Sequence, residues 1–301
     1  MRTRDVVLAL VAGTLGMVCV GGSVAVSGVL RDAPLLTPQA LRYAAAVVIL
    51  LLVARLRGQR IVRPRGREWA WLGGIAATGL VLFNVALVHG SAHAEPAVLG
   101  VAVASVPVLL ALLGPGRNGT VVVAAVVVSV GAALVQGGGR TDLAGLGWAL
   151  VVLLCEAAFT LLAVPVLGRQ GPWGVSVHTC WIAAAVLAVG GVVIEGPGAL
   201  ARLTGAHLAA IGYLALFVTA LAFVLWYSAV RTLGAGRAGL LTGIAPIAAA
   251  LVGALLGAPL PGPVAWAGIA LVGVGLAVGM GRRTRGRSRP PHPSPVGATP
   301  V

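Results

Sequence analysis

The chain contains no lysine, and acids are almost as scarce: 7 Asp and Glu stand against 21 basic residues, all of them arginine. Charged residues make up 9% of its 301 positions, where an ordinary soluble domain carries about 25%. That is too little charge to clothe a globule in water, so a soluble enzyme or a disordered chain is excluded. Cysteines number 3 (Cys19, Cys155 and Cys180), all inside apolar runs and with no C-x-x-C pair. This pattern suggests neither a disulfide framework nor a zinc site, and the thiols read as small buried hydrophobes. No Walker loop is present, which argues against direct drive by ATP. Gly273 and Gly275 follow no strand and so make no dinucleotide loop. His89 and His93, with Glu95 nearby, have helical i,i+4 spacing. Gly90, however, stands where the metalloprotease pattern needs Glu, and with Pro96 it weakens the helix. Neither metal nor cofactor is expected.

What the sequence has is apolar length. Hydrophobic residues make up 59% and the mean hydropathy is +1.03. A helix needs about 20 apolar residues to cross the hydrocarbon layer, and ten runs meet that need. They lie at roughly 6–30, 38–56, 69–90, 94–114, 119–136, 144–168, 173–195, 207–230, 236–257 and 263–280. The arginines fall in short groups between these runs, which suits a membrane surface better than a nucleic-acid face. Alternate connections hold 17 and 3 of them, with Arg42 inside a span. Basic loops stay in the cytoplasm, so the expectation is an even number of spans in the plasma (inner) membrane with both termini cytoplasmic. Residues 282–301, rich in Arg, Pro and Ser, read as a disordered basic cytoplasmic tail.

The two halves of the chain resemble each other. Leu99, Gly100, Pro107 and Gly114 align without gaps on Ala238, Gly239, Pro246 and Gly253, at an offset of 139. Leu82 to Asn84 falls on Leu221 to Phe223 at the same offset. Each half holds five spans, an odd number, so the second must enter the bilayer upside down. The expected fold is therefore an all-α membrane protein of ten transmembrane helices in two inverted five-helix repeats, 1–140 and 141–281. Such repeats build transporters with a substrate site at their interface.

The run from Thr219 through Trp226, Tyr227, Arg231 and Arg237 to Pro246 resembles the eighth and ninth helices of EamA-type carriers in the drug/metabolite transporter superfamily. Pro38 and Arg42 are similar to that family's Pro-x-x-x-Arg pattern on helix two, and Pro107 to its helix-four proline. The likeness covers about residues 6–280. Two places depart from it: Cys19 to Ser23 lacks the frequent Trp and Lys of helix one, and Gly257-Ala258 replaces Gly-Glu after helix nine. The resemblance implies ten helices in two inverted repeats and movement of small metabolites, amino acids or drug-like compounds.

Glu156 is the sharpest site candidate. It lies 12 residues into the 144–168 run, ~18 Å deep, where a charge costs on the order of 2.5–3.5 kcal/mol or more. Two readings stand: an acid that binds and releases a proton during transport, or a protonated acid that bonds a neighbouring helix. Arg42 could clamp a carboxylate, or snorkel or pair to hold the fold. Asn84, Tyr227 and Ser23 are further candidates for the substrate or proton path, with Ser105, Thr160, Thr242 and His178 as lesser polar groups; each can equally bond to another helix. Pro38, Pro107 and Pro246 are kink or motif residues. Gly253-x-x-x-Gly257 and Gly275-x-x-x-Gly279 read as close helix-packing surfaces, with a homodimer contact as one use. The partners implied are a small-molecule substrate and the bilayer, with no nucleic acid. The primary reading is a secondary transporter working by alternating access, with proton-coupled export. An uncoupled facilitator or exchanger, and a non-transporting membrane partner or sensor, stay open beside it.

Overall fold

In the computed structural model, residues 3–281 are described apart from 24, 25 and 27; the tail expected over 282–301 lies outside them. Among the described residues there is no strand, and ten helices are long and apolar enough to cross a membrane. They are α1 (Thr3–Gly22), α2 (Leu36–Leu56), α3 (Glu68–Ser91), α4 (Pro96–Leu113), α5 (Gly119–Gln136), α6 (Leu143–Leu161), α7 (Val164–Glu195), α8 (Gly205–Leu233), α9 (Ala235–Leu255) and α10 (Pro263–Gly281). Their ends follow local chemistry. Asn118 accepts from the Thr120 amide at 2.9 Å to start α5, and Asp142 from the Gly145 amide at 2.7 Å to start α6. At Gly137 and Gly234, φ values of +76° and +81° close α5 and α8, a backbone region that only glycine enters without strain.

The largest departure from the sequence reading is at the α6–α7 junction. The apolar run to 168 is two pieces, because α6 stops at Leu161 and α7 begins at Val164. Gly171 (φ +64°) and Pro172 then kink α7 near its start. Glu156 is therefore thirteen residues into a helix of 19, past its middle toward the arginine-rich end.

The connections gather into two ends. At one, Arg169 pairs with Glu68, and Arg117 and Arg237 line one cleft. At the other, His93 meets Asp142 at 3.0 Å and Arg140 meets Glu95 at 2.9 Å, around an isolated bridge from Ala94 to Thr141. Both carboxyls sit below the usual carboxylate range, Glu95 through the Arg140 guanidinium and Asp142 through the Gly145 amide and then His93.

Packing pairs helices across the chain. α2 lies on α7 and α5 on α10; α1 packs on α8 and α9, just as α6 packs on α3 and α4. Large apolar side chains such as Val11 and Leu15 on α1, and Leu150 and Leu154 on α6, are left on the outside, as a lipid-facing surface requires. The α5–α10 contact brings backbones together: a Cβ on Gly268 would come within 2.5 Å of the Gly131 carbonyl oxygen, and one on Gly131 within 2.7 Å of that of Gly268. Gly275 and Gly279 also lie on α5, against Val128 and Ala124. The surface of Gly275 and Gly279 is thus used within the chain. Gly257 is no packing residue, since it lies past the end of α9 at φ +98° with nothing near its Cβ position.

A second cross-chain contact ties α7 to α2. The first turn of α2 has no side-chain cap of its own, and its amides need acceptors. Glu195 supplies them, accepting from the amides of Leu36 at 2.6 Å and Thr37 at 2.9 Å and from the Thr37 hydroxyl at 2.6 Å.

Two stability predictions follow from these contacts. Gly268→Ala forces α5 and α10 apart and should lower stability in detergent thermal melts by about 1–3 kcal/mol. Gly273→Ala, with nothing within 4 Å of its Cβ position, should leave stability unchanged; equal melts for the two would remove the close contact. Glu195→Gln replaces one acceptor oxygen by a donor facing amides and should cost about 1–2 kcal/mol in the same melts.

Candidate functional site

Two helices carry widened turns at matching places. Residues Ala76–Leu82 of α3 and Leu214–Leu221 of α8 are π-helical. A π turn shifts the backbone bonds to i→i−5, as in the Phe83 amide to the Thr78 carbonyl, and frees neighbouring carbonyls for other donors. α4 and α9 are interrupted as well, at Ser105 and at Leu241–Gly243, each just before its buried proline, Pro107 or Pro246. Pro38 sits in the first turn of α2, where the missing amide costs least.

The polar groups meet on these widened turns. On the first-half side, the Leu80 carbonyl accepts from the Asn84 amide nitrogen at 2.6 Å, and that nitrogen also donates to the Tyr43 hydroxyl at 2.9 Å. Tyr43 is 2% exposed, and its hydroxyl oxygen lies 3.4 Å from the same carbonyl. On the second-half side, Arg42 Nε donates to Thr219 Oγ1 at 2.8 Å, while Nη1 reaches Gln39 Oε1 at 3.3 Å. Leu80 and Thr219 are themselves 139 positions apart. Arg42 therefore joins α2 to α8 and meets no acid; its guanidinium carbon is 5.3 Å from the centre of the Tyr43 ring.

Glu156 stands near this group on α6. It is only partly covered by protein and acts electrostatically on Tyr43 of α2 and Tyr227 of α8. Among the described residues, the acid–base pairs are His93–Asp142, Arg140–Glu95 and Arg169–Glu68. All three stand at helix ends, and none includes Glu156 or Arg42. Next to Glu156 on α6, Phe159 packs on Phe223 at 4.9 Å and on Tyr227 at 5.1 Å between ring centres. The Tyr227 hydroxyl donates to the Phe159 carbonyl at 3.3 Å, and Trp226 Nε1 to the Thr160 hydroxyl at 3.0 Å. Gly79 lets Phe159 in, because a Cβ there would fall 2.5 Å from the ring.

Of the five sequence candidates, Glu156, Arg42, Asn84 and Tyr227 gather around Tyr43, Thr219 and Phe159. Ser23 lies one residue past α1 and donates to the Val20 carbonyl at 2.6 Å. His178 has its Nε2 3.0 Å from the Val62 carbonyl, and Trp181 Nε1 donates to its Nδ1 at 3.2 Å. No group of three potential metal ligands forms among the described residues. The sequence reading missed Tyr43, Thr219, Trp226 and Glu195. Tyr43 stands beside Arg42 in an otherwise apolar run, and Thr219 and Trp226 lie in the stretch that carries the family resemblance.

At the arginine-rich end, the lower part of α4 closes on the start of α9. Cβ positions on Gly236 and Gly239 lie 3.4 Å from Ala111 Cα and 2.9 Å from Leu110 Cδ1. Toward the other end the two helices diverge: Pro96–Ala104 packs on α5 and α6, and Ile244–Leu255 packs on α1 and α5.

Comparison with known proteins agrees with this architecture. A solved structure described only as "Crystal structure of protein" is similar over 90% of this chain and 96% of its own, with a TM-score of 0.76 and 20% sequence identity. At that identity the likeness establishes the fold alone. No curated protein matches the sequence. The model of the EamA-like transporter family matches residues 143–280, which run from the start of α6 almost to the end of α10. With its ten apolar helices, the chain is a multi-pass membrane protein whose residues 143–280 match the model of the EamA-like transporter family, part of the drug/metabolite transporter superfamily.

Proposed function

We propose that the chain is a secondary carrier that moves a small metabolite, amino acid or drug-like compound across the plasma membrane by alternating access, coupled to protons and in the direction of export. The observation that carries this reading is Glu156: a carboxyl within the helix bundle, without an ion pair among the described residues and in the electrostatic neighbourhood of two tyrosines. An acid so placed has no structural partner to hold, so its proton is available for exchange. Moving one charge gains about 2.3 kcal/mol per 100 mV. At ~1.36 kcal/mol per tenfold, one proton could sustain on the order of a 50-fold gradient, so a single acid suffices.

The two five-helix repeats are inverted in this reading, and both termini are cytoplasmic. Matching π turns, matching interruptions before Pro107 and Pro246, and the exchange of partners between α1 and α6 support the repeat. The odd number of spans in each half supplies the inversion, and the arginine distribution the orientation. The substrate is small and partly apolar, since Phe159, Phe223 and Tyr227 offer aromatic faces beside the lone carboxyl.

Glu156→Gln in proteoliposomes should abolish uphill accumulation while leaving counterflow exchange intact. Accumulation against a gradient by that variant would remove the coupling role, and exchange with accumulation in neither protein would favour a facilitator. Arg42 has the role of a positioning residue between α2 and α8. Arg42→Lys and Thr219→Val should each destabilise the protein, and the double variant by less than the sum, with a coupling of about 0.5–3 kcal/mol in thermal melts. Additive losses together with a weakened substrate affinity in Arg42→Lys would make Arg42 a substrate ligand instead.

A further inference from the structure

The densest charge among the described residues lies where α2 passes into α3. Arg55, Arg57, Arg60, Arg63, Arg65 and Arg67 fall within 13 positions, and no acid stands among them. All six are exposed. Among the described residues, none of their side chains is held by a hydrogen bond or an ion pair. The next acid along the chain, Glu68, is engaged by Arg169 and by the side-chain amide of Gln170 at 2.9 Å. Like charges this crowded repel one another, so their counter-charge has to come from outside the chain.

The connection is nevertheless a fixed strap. Ile61 packs on the core and Pro64 is buried, so its apolar side chains turn inward while the arginines stay outside. α7 holds its middle: His178 Nε2 stands 3.0 Å from the Val62 carbonyl, and Arg169 donates to the Arg63 carbonyl at 3.1 Å. The Arg65 amide donates to Glu68 at 2.9 Å. Each arginine is therefore within two residues of a helix end or of a fixed backbone group.

Neighbouring residues mark its height relative to the bilayer. Val48, Leu52 and Leu56 form an exposed apolar stripe on α2 at i,i+4 spacing, and Arg55 shares that stripe one turn past Leu52. At the start of α3, Trp69 meets Trp181 edge to face with ring centres 6.0 Å apart, and both are exposed. Indole rings favour the headgroup level of a membrane. The strap thus begins where a lipid-facing surface ends.

We propose that this strap binds the headgroups of anionic phospholipids in the leaflet at its own end, through the summed charge of its arginines rather than through a pocket. A basic segment beside a membrane gains about a fivefold preference for an anionic surface per arginine. The strap belongs to the first half of the chain, and His178 and Arg169 belong to the second. Headgroups that neutralise the strap relieve the repulsion working against its seat on α7, and so favour the conformation in which that contact is made. This inference does not depend on Glu156 or on a transported substrate.

The test uses the full-length protein in nanodiscs, read by thermal unfolding. Mixing phosphatidylglycerol into phosphatidylcholine should raise the melting temperature. Raising KCl from about 0.1 M to about 1 M shortens the screening length from about 10 Å to about 3 Å and should undo most of that rise. Arg57→Gln, Arg60→Gln and Arg65→Gln together should remove about half of the rise or more. Arg57→Lys, Arg60→Lys and Arg65→Lys together should keep it, because charge and not a forked donor is what counts. Arg4→Gln, Arg117→Gln and Arg231→Gln together, at three exposed arginines outside the strap, should leave most of it. No rise with phosphatidylglycerol, a rise that high salt leaves whole, or equal losses in the two glutamine variants overturns the proposal. If the strap glutamine variant does not fold, the lipid that the wild type retains from mixed micelles decides, by mass spectrometry. Phosphatidylglycerol should then exceed its share of the mixture, and retention at or below that share overturns the proposal.

Discussion

A backbone surrounded by hydrocarbon has to satisfy its own hydrogen bonds, and this single requirement shapes the rest of the molecule. It makes every spanning segment a helix, and it permits an irregular turn only where side chains or other helices can serve the groups set free. The irregular turns here obey it. The π segment of α3 presents the Leu80 carbonyl to Asn84 and Tyr43, while that of α8 carries Thr219, whose side-chain hydroxyl accepts from Arg42. The interruptions at Ser105 and at Leu241–Gly243 are served locally, by Ser105 donating to the Val101 carbonyl at 2.9 Å and Thr242 to the Gly239 carbonyl at 2.8 Å. Irregularity and polarity coincide because each makes the other tolerable.

The ten helices were legible because each is a long run with few charges, a pattern that hydrocarbon allows only one backbone to adopt. The runs starting at 119 and 144 fall within a residue of the helix starts at Gly119 and Leu143. What could not be read depends on partners far along the chain. Arg42 looked like a lone cation because Thr219 is 177 positions away. Glu195 looked like the end of a span because the amides it caps are 158 and 159 positions away. The junction at 162–163 was hidden for another reason: Leu162 and Ala163 are as apolar as the helices they separate, so hydropathy passes over the break and sets Glu156 nearer the middle of its span than it is.

The halves are alike in outline and unlike in chemistry. The position 139 residues before Glu156 is Met17, a buried core residue. The counterpart of Asn84 is Phe223, and that of Thr219 is Leu80. At these positions one half offers a polar group and the other an apolar one, while Thr37 and Ser176, or Gln39 and His178, are polar at both. Carboxyl and aromatic rings share one side of the interior, while amide and tyrosine hydroxyl share the other.

The Glu195 cap bears on how such a molecule could change shape. It fastens the beginning of α2 to the finish of α7 with three short bonds, and these helices come from different halves of the polypeptide. The glycine seam between α5 and α10 fastens a second such couple. Rigid pieces in this protein are therefore assembled across the midpoint of the chain rather than on either side of it. A rocking motion that keeps these contacts carries α2 along with α7 and α5 along with α10.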